Sequence, residues 1–163
     1  MLKKTYTRKK ELRFSMEYET ESLNEIKDTV IEFAVNYQLK VTLTFAVNAA
    51  IAQYCTALNK LTENFTTVPV VHDDELYHKL IAPLPKISRK DLNVFVFRLD
   101  ETIEQQLTNA ISNFVSVSGQ RLTKTAAVRT AIELYVKKLR FYIAGHQKGR
   151  TYNEEKVIHE IYP

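Results

Sequence analysis

The chain matches itself when it is shifted by 81 residues. Thr44 to Tyr54 then falls on Thr125 to Tyr135, with Thr44, Ala46, Val47, Ala50, Ile51 and Tyr54 meeting the same residue type and Leu58 meeting Leu139. Upstream, without a gap, Phe14 meets Phe95, Ile26 meets Leu107, Val30 meets Ile111 and Phe33 meets Phe114. An internal repeat decides the architecture before any single element does. Each unit reads as one strand and two helices, too little to bury a core alone, so the two units are expected to bury one together.

The apolar spacing supports this reading. Leu12, Phe14, Met16 and Tyr18 alternate with polar residues, the period of a strand with one buried face. Ser22 and Glu25 have the spacing of a capping box. They open a helix to about Tyr37, with Ile26, Val30, Phe33, Ala34 and Tyr37 on its apolar side. Thr42 is placed to cap a second helix from about Leu43 to Leu61, whose apolar face holds Val47, Ala50, Ile51, Tyr54, Cys55 and Leu58. In the second unit Val94 to Leu99 forms the strand and Asp100 caps a helix carrying Ile103, Leu107, Ala110, Ile111 and Phe114. Gly119 marks the turn, and Thr123 caps a helix from about Lys124 to Tyr142. The expected fold is mainly α, with a short two-stranded antiparallel ribbon. Its organisation is an arm (1–10), unit one (11–61), a connector (62–91), unit two (92–142) and a tail (143–163). The connector has no upstream counterpart and holds Pro69, Pro83 and Pro85, with room for a helical turn or two through Leu80-Ile81. Asn153 to Tyr162 reads as a short amphipathic helix that packs on the body or meets a partner.

Charge is distributed unevenly. Lys3, Lys4, Arg8, Lys9 and Lys10 stand in the first ten residues with no acid; without them, 18 basic residues face 19 acidic ones. The body is thus near neutral, and the arm is either a phosphate-following segment or a solubilising terminus. The single cysteine, Cys55, excludes an intramolecular disulfide framework and suits a reducing, cytoplasmic setting. No apolar run approaches the roughly 20 residues needed to cross a bilayer, so no membrane association is expected. Catalysis finds little support: no Gly-rich phosphate loop is evident, and His72, His78, His146 and His159 are scattered. Asp73-Asp74-Glu75 reads as a solvated helix start. The expectation is a protein that is not an enzyme and has no metal or cofactor.

Strand, helix, tight turn and helix in this order resemble the ribbon-helix-helix (Arc/MetJ-like) DNA-binding family. Unit two carries the resemblance best, through Val94-Phe95-Val96-Phe97-Arg98-Leu99-Asp100-Glu101 and Gly119-Gln120-Arg121-Leu122-Thr123-Lys124-Thr125-Ala126. Unit one departs from it: Gln38 stands in place of the turn glycine and Glu17 in place of Arg98. The resemblance implies an antiparallel ribbon in the major groove of double-stranded DNA, backed by four helices. Two units in one chain would form this as an intramolecular pseudo-dimer, similar to relaxosome accessory proteins of conjugative plasmids and to viral or plasmid repressors.

On that reading the outward strand residues contact bases: Arg13, Ser15 and Glu17 from one strand, Val94, Val96 and Arg98 from the other. Arginine binds guanine O6 and N7 in a fork, and valine meets the thymine methyl. The alternative for Val94 and Val96 is burial under the arm, the tail or another chain. Helix N-termini attract phosphate, which assigns backbone contacts to Thr42, Thr44, Arg121, Thr123, Lys124 and Thr125, beside the arm residues Lys3, Lys4, Arg8, Lys9 and Lys10. Ordinary capping is the alternative for the threonines. The fused units imply an asymmetric site and a role in transcription repression, in the relaxosome or in partition, with further copies or a tail-bound protein as added partners. Two other readings stand beside this one: a protein-interaction module, antitoxin-like or adaptor, using the helices and tail, and a purely structural helical unit.

Overall fold

The computed structural model describes residues 11–66, 74–81 and 91–162. The elements run β1 (Glu11–Glu19), α1 (Thr20–Tyr37), α2 (Leu43–Thr66), α3 (Asp74–Ile81), β2 (Leu92–Asp100), α4 (Glu101–Ser118), α5 (Lys124–Gln147) and α6 (Glu154–Ile161). The described residues are therefore mainly helical, with one two-stranded antiparallel sheet. The bounds of β2, α4 and α5 are those of β1, α1 and α2 moved by 81 residues, as the self-match requires.

The strands pair so that Ser15 faces Val96, two positions that are themselves 81 apart; the remaining pairs step outward evenly from there. Interchanging the two halves leaves this register unchanged. Met16, Tyr18, Phe95, Phe97 and Leu99 are buried on the inner face. Leu12, expected with them, is 40% exposed. It sits opposite Leu99, one pair from the end of the ribbon.

Behind the ribbon the helices cross between halves. α2 lies chiefly against α4 and α5, and α5 against α1 and α2, while α1 touches its neighbour α2 only slightly, as does α4 its neighbour α5. The core is thus shared. Phe33, Phe114, Ile51, Ile132, Leu58 and Leu139, three pairs of repeat-related residues, are all fully buried. These residues lie where helices from the two halves pack together.

The caps follow the sequence at three of four helix starts. Thr42 Oγ1 accepts from Phe45 N at 3.1 Å, Asp100 Oδ1 from Thr102 N at 2.9 Å, and Thr123 Oγ1 from Ala126 N at 3.2 Å. The capping box at Ser22 does not form. Strand β1 stays paired through Glu19 opposite Leu92, and the chain enters α1 at Thr20. Ser22 therefore lies inside the first turn, its hydroxyl donating to Glu19 Oε2 at 3.2 Å. Gln38, at the place of the turn glycine, adopts the same left-handed backbone as Gly119, with φ of +52° against +69°. The turn is retained without its glycine.

Both long helices, α2 and α5, run five residues past the ends read from their apolar faces, to Thr66 and Gln147. The extensions lead to the two short helices, which correspond to one another. Leu76, His78 and Leu80 of α3 stand 81 residues before Val157, His159 and Ile161 of α6. Tyr54 donates its hydroxyl to the Leu80 carbonyl at 3.0 Å, and its repeat partner Tyr135 donates to the Ile161 carbonyl, also at 3.0 Å. The connector's counterpart thus lies downstream, in the tail: each half of the chain carries a third helix, tied down by the same tyrosine. Tail residue Tyr152 packs against Gly145 of α5, where an added Cβ would lie 2.2 Å from the Tyr152 hydroxyl oxygen.

Candidate functional site

Alternation along each strand puts every second side chain on the outer face of the ribbon. The six residues expected there, Arg13, Ser15, Glu17, Val94, Val96 and Arg98, are all exposed. Val94 and Val96 remain 61% and 53% exposed, so neither the body nor helix α6 covers them. A pair of adjacent exposed valines on a polar face is costly in water and suits contact with an apolar edge.

The register brings these residues together in a way their order in the chain does not reveal. Arg13 is directly opposite Arg98, Ser15 opposite Val96, and Glu17 opposite Val94. Both arginines therefore stand at one end of the outer face, while the other end carries an acid beside a valine. Like charges directly across a strand pair repel and cost stability.

The two ends of the ribbon are also held differently. Asn48 of α2 grips the Arg98 end: its Nδ2 donates to the Arg98 carbonyl and its Oδ1 accepts from Asp100 N, each at 2.9 Å. The amide thus fixes the backbone that carries the Arg98 side chain. The repeat partner of Asn48 is Arg129, whose guanidinium lies 4.8 Å over the ring of Tyr18. The Tyr18 hydroxyl donates to Glu133 Oε1 at 2.6 Å. Burial, and then this carboxylate, push the Tyr18 hydroxyl's pKa well above the usual phenol range, so it stays protonated and keeps its donor. Asn48 was not singled out from the sequence. The one signal was a polar side chain interrupting the apolar face of α2 next to Val47.

The helix starts flank the ribbon. Thr42 and Thr123 cap α2 and α5, and Thr44, Arg121 and Thr125 are exposed. Lys124 is engaged within the molecule, donating to Glu104 Oε1 of α4. That bond holds the Glu104 carboxyl below its ordinary range. The arm residues Lys3, Lys4, Arg8, Lys9 and Lys10 lie outside the described residues.

Among the described residues no group of three or more His, Cys, Asp or Glu side chains is placed to hold a metal ion. Cys55 is buried, and burial pushes its thiol up to about 11. No helix among the described residues is long and apolar enough to cross a membrane. Compared with family models, curated proteins and solved structures, the chain matches none.

Proposed function

We propose that this chain binds double-stranded DNA in a sequence-dependent way, as two ribbon-helix-helix units fused into an intramolecular pseudo-dimer. The ribbon enters the major groove with its outer face toward the bases. The observation that carries the reading is the outer face itself: exposed throughout, with Arg13 opposite Arg98 at one end and Val96 and Val94 following toward the other. Two arginines side by side present forks for guanine O6 and N7, and the valines suit thymine methyl groups. Thr42, Thr44, Thr123, Thr125 and Arg121 flank the ribbon where phosphates pass a major-groove ligand, next to helix N-termini. A regulator of transcription, or an accessory factor of a plasmid relaxosome or partition complex, is the role this binding serves.

The reading makes the site asymmetric. Identical subunits copy their two-fold symmetry into the DNA, whereas here one end of the reading face is doubly basic and the other is not. Selection from random duplexes is expected to return a site with guanines at one end and thymines toward the other. Arg13→Ala and Arg98→Ala should both relax preference at that same end, each at a cost of about 1–3 kcal/mol for a bidentate contact. Affinity should fall with salt, each phosphate contact adding about −0.9 to the log–log slope. Recovery of a perfect inverted repeat, or affinity indifferent to sequence, would exclude this arrangement.

A further inference from the structure

On the side of α2 and α5 that carries the short helices lies a cavity of about 290 Å³. Its lining includes the repeat-related pair Ala50 and Ala131 of the two long helices, both buried, and Ala57 beside them. Tyr54 and Tyr135, whose hydroxyls are spent on the carbonyls of Leu80 and Ile161, form apolar walls through their rings.

The rim is charged, and the repeat is broken there. Lys79 of α3 and its counterpart Glu160 of α6 both line the cavity, and Lys137 and Lys138 of α5 join them. Glu160 is already engaged: its carboxylate accepts from the Tyr142 hydroxyl, and its backbone carbonyl accepts from Gln53 Nε2 at 2.8 Å. Lys138 is half-buried and donates to a neutral partner, Gln53 Oε1, at 2.6 Å. Burial, and then the charge of Lys79, work against the Lys138 ammonium, while Glu160 works for it. Three lysines thus converge on an apolar hollow with one acid that is turned to a tyrosine. Pockets of this kind, apolar with a few placed polar groups, are the usual form of small-molecule sites.

We propose that this cavity binds a small amphipathic carboxylate, its apolar body seated between Ala50, Ala57 and Ala131 and its carboxylate held by Lys138 with Lys79 and Lys137. Such a ligand bridges the two halves of the chain through α2, α3 and α5. The proposal requires nothing of the DNA reading and stands or fails separately from it.

Calorimetric titration of the full chain with octanoate, n-octanol and n-octylammonium tests it. Octanoate is expected to bind with one-to-one stoichiometry. Octanol should bind about tenfold more weakly or worse, since the carboxylate–ammonium bond is replaced by a hydrogen bond to a neutral hydroxyl, and octylammonium should give no saturable heat. Lys138→Met should weaken octanoate about tenfold, and Ala57→Phe, which fills the hollow, should abolish binding. Lys79→Ala, an exposed position, provides a weakening that folding cannot confound if either half-buried variant loses its circular dichroism spectrum. No octanoate binding, equal binding of octanol or octylammonium, or octanoate binding unchanged in the folded variants would overturn the proposal.

Discussion

Arg98 and Asn48 illustrate how much depends on single side chains that act on backbone. Replacing Asn48 with alanine removes the acceptor of Asp100 N–H and the donor to the Arg98 carbonyl. The expected loss is about 1–3 kcal/mol, seen as a lower midpoint in denaturant unfolding. Under the proposed DNA-binding reading, affinity for duplex DNA should fall too, because the end of the ribbon that carries Arg98 is no longer held. Asn48→Asp keeps the acceptor but sets a carboxylate oxygen against the Thr44 and Arg98 carbonyls, so its midpoint should also fall. Cys55 gives a second check at this scale. A buried thiol pushed up to about 11 has almost no thiolate near pH 8. Alkylating reagents should modify it only after unfolding, and labelling at the native rate of a free thiol would contradict its burial. The Glu104–Lys124 contact sets a modest pH dependence. The Glu104 carboxyl is held below its unfolded value by Lys124. Its contribution is therefore present above the ordinary carboxylate pKa of about 4.3 and is lost as pH falls through the lower folded value. Both groups are partly exposed, which limits the effect to below about 1 kcal/mol. Unfolding free energies of the native chain and Lys124→Met should differ at neutral pH and converge in acid.

At the level of elements, the two turns that separate the paired helices form a natural comparison. Gly119 and Gln38 occupy equivalent positions in left-handed backbone. A residue with a Cβ is disfavoured there by roughly 1–2 kcal/mol. Gln38→Gly should raise stability by about 0.5–1 kcal/mol once the added freedom of the unfolded chain is counted. Gly119→Ala should lower it by about 1 kcal/mol through backbone strain alone, because open space surrounds the site where the Cβ would stand. Thermal melts of the two variants should therefore move in opposite directions. The helices themselves were legible from apolar spacing and from Thr42, Asp100 and Thr123. The Ser22 box misled because a capping motif states only what a helix start would accept. Continued pairing of Glu19 with Leu92 brought the helix in earlier.

For the whole molecule, the crossed packing is the governing fact. α2 depends on α4 and α5, and α5 on α1 and α2, so residues 1–81 and 82–163 each lack most of what their own helices bury against. Expressed separately, neither half should show a cooperative melt as a monomer. Mixed, they should recover one, with a species of the full chain's mass in sedimentation. A cooperative monomeric half would show that its core is self-sufficient, contrary to the packing. Joining the halves in one chain lets their outward faces diverge, which two copies of one subunit cannot do.

The sequence by itself determined the local order. Period-two alternation set β1 and its outer residues, helical spacing and capping side chains set four helices, and the 81-residue self-match set the relation between halves and so the outer residues of β2. These are properties of neighbouring residues, and a chain expresses them wherever it is read. Tertiary structure alone decided that Arg13 faces Arg98, that Asn48 reaches the end of β2, that α3 and α6 are counterparts bound by Tyr54 and Tyr135, and that alanines at 50 and 131 meet across a cavity. Each of these joins segments far apart in the chain. Apolar burial is non-directional, so the pattern along one segment does not say which partner or register completes it; only the mutual fit of both halves does.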